Sequence, residues 1–135
     1  MAFDLEIAAI TIYCEASGQS QEARLAVAHV ICNRWKAGRW GSTIAEVCLR
    51  RMQFSEWNDD RANNANLLRA ARVQQHDPIM QAYIKAYWEA VEPGASDPTL
   101  GATHYHDNSI SPPLWTHGAE QTVQIGAFTF YKGVA

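Results

Sequence analysis

The sequence predicts an α+β domain, with helices first and a small antiparallel sheet at the C-terminus. Three observations carry this. Apolar residues recur at helical spacing over residues 4–16, "ARLAVAHVIC" at 23–32 is apolar almost all round, and the last third alternates short β-like runs with glycine and proline turns. The chain has 135 residues, 47% of them hydrophobic and 19% charged, which is enough to bury a core in one domain spanning 1–135.

The elements follow in order. Leu5, Ala8, Ala9, Ile12, Glu15 and Ala16 form one stripe of a first helix over about Asp4–Ala16, with Gly18 as its stop. Ser20 is the N-cap expected for a second helix reaching about Trp35, and its apolar girth makes it the central one. "KAGRWGS" then reads as a loop. Thr43 and Glu46 form a capping box for a short helix through about Leu49. Residues 50–66 lack a clear period and read as loop, and a short helix is expected over Asn66–Val73. Asp77-Pro78 opens another helix, which ends near Val91 before Pro93-Gly94. "SDPTLGA" is a turn cluster, "ATHYH" and "QTVQI" are strands, and Gly126 centres a hairpin into "FTFYK". "DNSISPPLW" is the proline-bearing loop between the strands.

Composition narrows the function. A net charge of −3 gives no electrostatic case for nucleic acid or an anionic membrane, and no apolar run approaches the roughly 20 residues that span a bilayer, so no stable membrane association is expected. Asp4 and Glu6 stand where an export signal would carry Lys or Arg. The expected location is therefore the cytoplasm of the producing cell on synthesis. Cys14, Cys32 and Cys48 are odd in number and fit neither a disulfide framework nor a zinc motif, so they read as reduced, mostly core thiols.

Three places could do chemistry. Glu15 lies on the apolar stripe of its helix. An apolar setting disfavours a carboxyl's charged form, which suits a general acid, but a buried ion pair with Arg24 or Arg34 explains the same placement. Gln53, Phe54 and Ser55 offer an amide, an aromatic face and a hydroxyl in one loop. Such a mixture binds sugars, and it is equally a loop anchored by Phe54. His104 and His106 share one face of a strand and could begin a zinc site with His117 or Asp107, or else contact a ligand or water. Trp40, Trp57, Tyr105 and Trp115 are expected to line a groove, and Trp35 and Trp88 to be core.

Taken in order, "IYCEASGQSQEARLAVAHVICNRW", "QFS", "DPTLGATHYH" and "TVQIGAFTFYK" resemble the SleB/CwlJ-type cell-wall hydrolase family, known from spore-cortex-lytic enzymes and phage lysis proteins. The resemblance runs from about Ile7 to Lys132. It implies a compact lysozyme-like catalytic domain that cuts peptidoglycan glycan strands between N-acetylmuramic acid and N-acetylglucosamine. It also implies that Glu15, in the aromatic-small-Glu-Ala signature, is the catalytic residue. Gln53, Phe54, Ser55, His104, Tyr105, His106 and Trp115 are then the expected substrate-binding residues, with no cofactor or metal and a monomeric state.

The sequence also departs from that pattern. Cys14 replaces the usual Gly, Ser17 a common Arg, and Gln19 a common Glu, and the histidines of "HYH" replace aromatic or aliphatic residues. With Gln19 there, a second carboxylate at that position is excluded. A lone carboxyl suits a lytic transglycosylase giving 1,6-anhydromuramoyl products, in the setting of a phage or prophage endolysin acting in the periplasm or wall after release. The alternatives are a hydrolytic muramidase using Glu22 or Asp107 as second carboxylate, a zinc-dependent N-acetylmuramoyl-L-alanine amidase using His104, His106 and His117, and a glycan-binding module without turnover.

Overall fold

The computed structural model describes residues 2–50 and 78–135. Gln53, Phe54, Ser55, Trp57, the helix expected over 66–73 and the Asp77 cap lie outside the described residues. Helix α1 spans Ala2–Ala16, α2 Gln21–Ala37, α3 Ile44–Leu49 and α4 Pro78–Val91. Strands β1, His104–Asp107, β2, Glu120–Ile125, and β3, Phe128–Lys132, follow, with a 3₁₀ turn at Leu114–Thr116. The α+β order with helices first is the one expected. None of the described helices is long and apolar enough to cross a membrane.

Local chemistry sets the helix ends. The Ser20 side chain accepts from the Ala23 N–H, as expected of an N-cap. Gly38, in the left-handed region at φ 74°, donates its N–H to the Arg34 and Trp35 carbonyls and so ends α2 two residues beyond Trp35. In α3, Thr43 accepts from the Glu46 N–H at 3.1 Å. The Glu46 carboxylate reaches back to the N–H and hydroxyl of Ser42, and these bonds hold it below the usual carboxylate range. Asp4 of α1 accepts from the Ala45 N–H, tying the two helices together.

At Gly41 the backbone passes close to α3. A Cβ there would stand 2.7 Å from the Glu46 Cβ and 3.0 Å from the Val47 nitrogen. Gly41→Ala is expected to destabilise the fold by about 1–3 kcal/mol through overpacking, read as a lower denaturant midpoint at unchanged slope.

Helix α2 occupies the centre and touches α1, α3, α4 and β2. Ala23, Ala26, Val27, Ala28, Val30, Ile31 and Cys32 are all buried on it, which fits its apolar girth. Small residues there let neighbouring helices approach closely. Helix α4 presents Met80, Tyr83, Ala86, Tyr87 and Ala90 inward at helical spacing. Cys32 and Cys48 are buried thiols not joined in a disulfide, Cys14 is half-buried, and burial pushes the Cys32 thiol up to about 11.

The tryptophans require correction. Trp35 and Trp88, expected in the core, are 41% and 52% exposed. Helix rotation turns both to the outer face, where Trp35 donates to the Ser42 carbonyl and Trp88 packs edge-on to Tyr87. Trp40, expected in a groove, is buried in the core beneath the guanidinium groups of Arg34 and Arg39.

The sheet order is β1-β3-β2, antiparallel throughout. Tyr105 faces Phe130 across β1 and β3, and Val123 and Ile125 of β2 face Phe130 and Phe128. Gly126 lets the β2–β3 turn lie over the start of α2, where a Cβ would meet Ala23, Gln19 and Ser20.

Candidate active site

Glu15 is half-buried one residue before the end of α1, on the stripe that also buries Ile12 and Ala16. Its Oε1 accepts a hydrogen bond from the hydroxyl of Tyr105. The close contacts between basic and acidic side chains among the described residues are His29–Asp97, Lys85–Glu89 and Lys132–Glu120, so neither Arg24 nor Arg34 locks Glu15 in a salt bridge. Arg24 instead donates to the Gln19 carbonyl and lies over the Tyr83 ring. Arg34 is closer to the site. Burial pushes its guanidinium pKa down, while the nearby Tyr105 and Glu15 oppose that push.

Tyr105 reaches Glu15 because α2 grips the segment leading into β1. Asn33 Nδ2 donates to Asp97 and to the Ala102 carbonyl, both at 2.8 Å. Arg34 Nε donates to the Thr103 carbonyl at 2.6 Å, and the Thr103 N–H donates to Tyr131 on β3. Asp97 organises the turn by accepting from the Thr99 N–H and hydroxyl and from the Gly101 N–H. The consecutive Asn33 and Arg34 therefore set the register of the strand that carries Tyr105. Arg34 was expected only as a candidate ion partner of Glu15 and Asn33 had no expected role at the site; the signal for both is a paired amide and guanidinium ending an otherwise apolar helix.

Strand alternation separates the three residues of "HYH". Tyr105 lies on the core face with Phe128 and Phe130, at ring distances of 5.1 and 5.5 Å. His104 and His106 lie on the opposite face with Tyr131 and Trp115. His106 stacks on Tyr131, and its two ring nitrogens meet the Asp107 carbonyl and the Tyr131 hydroxyl. His104 Nδ1 meets the Thr103 hydroxyl at 2.9 Å. Burial, reinforced by Arg34 and Arg39, lowers His104 to about 4, so its ring is neutral at pH 7. His117 is exposed at the end of the 3₁₀ turn, and no cluster of three His, Cys, Asp or Glu side chains able to hold a metal occurs among the described residues. Glu22 is exposed in the first turn of α2, and Asp107 is exposed and accepts from the Ser109 N–H.

A sequence profile of the family described as Cell Wall Hydrolase matches residues 18–131. The chain belongs to the cell wall hydrolase family. This is the family that its ordered motifs resemble, and as a member it is a cell-wall lytic enzyme. The matched span begins three residues after Glu15. The hydrolase is similar in structure to the catalytic domain of the germination-specific lytic transglycosylase SleB from Bacillus anthracis, with a TM-score of 0.74 and 22% identity over 98% of this chain and 96% of that one. It is similarly like the catalytic domain of the Bacillus cereus SleB protein, with a TM-score of 0.72 and 22% identity over 98% and 91%. At that identity the likeness is one of fold. No curated protein matches the sequence.

Proposed function

We propose that this hydrolase cleaves peptidoglycan glycan strands between N-acetylmuramic acid and N-acetylglucosamine as a lytic transglycosylase, with Glu15 as its one catalytic acid and base. The observation that carries the reading is the state of Glu15, a half-buried carboxyl with one oxygen held by Tyr105 and, among the described residues, no salt bridge to an arginine. The described residues bring no second carboxylate into contact with it, whereas two-carboxylate glycosidases place a pair across the scissile bond.

With a single carboxyl the substrate supplies the nucleophile. Glu15 protonates the glycosidic oxygen as its bond to the muramoyl anomeric carbon breaks. The carboxylate so formed takes the proton of the muramoyl C6 hydroxyl, whose oxygen bonds to that carbon. The product is a 1,6-anhydro ring, and Glu15 regains its proton without water entering.

Mass spectrometry of the muropeptides tests this directly. Anhydromuramoyl ends are expected, in full yield after chelator treatment. Reducing muramic acid ends would instead identify a hydrolytic muramidase, and cleaved stem peptides an amidase. The same reading extends to a phage or prophage endolysin that meets the wall after release from the cytoplasm. Appearance of the protein in the periplasm of cells lacking a holin would count against this route.

A further inference from the structure

We propose that Tyr105 is a positioning residue for the catalytic proton: its hydroxyl holds Oε1 of Glu15, so that Oε2 is the atom that carries the proton and delivers it to the glycosidic oxygen. The proposal rests on the reading of Glu15 as the catalytic acid. In water the two oxygens of a carboxylic acid are interchangeable, and the O–H can point either way. A donor fixed on one oxygen makes that oxygen an acceptor, and the proton then belongs to the other. The Tyr105 hydroxyl donates to Oε1, and among the described residues this is the hydrogen bond made to the Glu15 side chain.

The donor is fixed in place. The Tyr105 ring packs edge-on to Phe128 and tilted on Phe130, two buried residues of β3. Its backbone is paired with Phe130. The residues before it are tied by the Arg34 bond to Thr103 and the Thr103 bond to Tyr131. A phenol so clamped cannot swing away without opening the sheet, so the carboxyl is oriented before substrate arrives. When the proton leaves Oε2, the bond from Tyr105 becomes charge-assisted and supports the carboxylate through the second half of the reaction. This role is distinct from binding sugar, because it acts on the rate of the chemical step and not on affinity.

The test is Tyr105→Phe, which keeps the packed ring and removes only the hydroxyl, assayed on soluble glycan strands beside Glu15→Gln. The expected result is a fall in kcat of about 10- to 100-fold, with KM unchanged and the circular dichroism spectrum of the wild type. In the Glu15→Gln background the same substitution is expected to cause no further loss, since the two groups act as a unit. An unchanged kcat, or a loss lying wholly in KM, would overturn the positioning role. If Tyr105→Phe does not fold, 3-fluorotyrosine at position 105 replaces it: a changed kcat at constant KM supports the proposal, and an unchanged kcat overturns it. An inactive Glu15→Gln enzyme beside a fully active Tyr105→Phe enzyme removes this inference alone. A fully active Glu15→Gln enzyme removes the reading of Glu15 and this inference with it.

Discussion

Glu15→Gln is expected to abolish glycan-strand cleavage, lowering kcat by roughly a thousand-fold or more, while the protein folds as before. The amide has nearly the shape of the acid. Its oxygen can still accept from Tyr105, which is the bond Glu15 makes in the structure, so the packing of the α1 end against β1 is kept. What is lost is a group that can give and retake a proton, and in the single-carboxyl mechanism both halves of the reaction pass through it. The measurement is clearing of a purified cell-wall suspension together with muropeptide analysis, with thermal unfolding as the control for folding. A variant that unfolds at the wild-type temperature and clears walls at the wild-type rate would end the reading of Glu15 as the catalytic acid.

The largest effect on stability is expected at Asp97. Its carboxylate accepts from Asn33, from the Thr99 N–H and hydroxyl and from the Gly101 N–H. Asp97→Ala removes the one oxygen that accepts from both the N–H and the hydroxyl of the buried Thr99, and it releases the turn from α2. The cost is about 3 kcal/mol, given that hydrogen bonds to a charged group each contribute about 1.5–3 kcal/mol and that water replaces part of them. Activity should fall too, because the same turn feeds Tyr105 into place.

The effect carries a pH signature. Burial pushes the Asp97 carboxyl up, but the bonds from Asn33, Thr99 and Gly101 outweigh it and leave the group below its usual 3.8. A depressed acid contributes stability that is fully present above 3.8 and is lost as pH falls through the lower folded value. His29, 3.7 Å from Asp97, adds to this in the same direction. Burial lowers its pKa, against the pull of Asp97 and with the help of Lys36. It is therefore a neutral ring near a carboxylate at pH 7, and not a charged pair. Its share of the stability starts to fall below 6.5. Unfolding followed from pH 7 down to pH 3 should show wild-type stability declining in two stages, with the gap to Asp97→Ala closing only in the lower one. A gap that stays constant to pH 3 would show that Asp97 does not act through its charge.

Much of the architecture was readable in one dimension. Ser20, Thr43 and Pro78 mark helix starts because each satisfies or dispenses with an end N–H from its own side chain or ring, a property independent of the rest of the chain. The girth of α2 and the Gly126 hairpin were equally local. The errors fell on residues whose surroundings are set by distant segments. Trp35 and Trp40 are five positions apart, yet the first faces solvent and the second lies in the core, because the orientation of a helix and the return of a loop decide burial, and hydrophobicity does not.

The site divides along the same line. Sequence by itself determined that a carboxylate stands on the apolar stripe of the first helix, within motifs ordered as in a wall-lytic family, since periodicity and motif order are properties of the chain alone. Only the tertiary structure decided that Glu15 meets a tyrosine 90 residues away and, among the described residues, makes no salt bridge to an arginine, and that His104 and His106 turn to the other face of the sheet. The reason is physical: a strand's two faces are fixed by what its register packs against, and that register is imposed by Asn33, Arg34 and Asp97 from elsewhere in the fold.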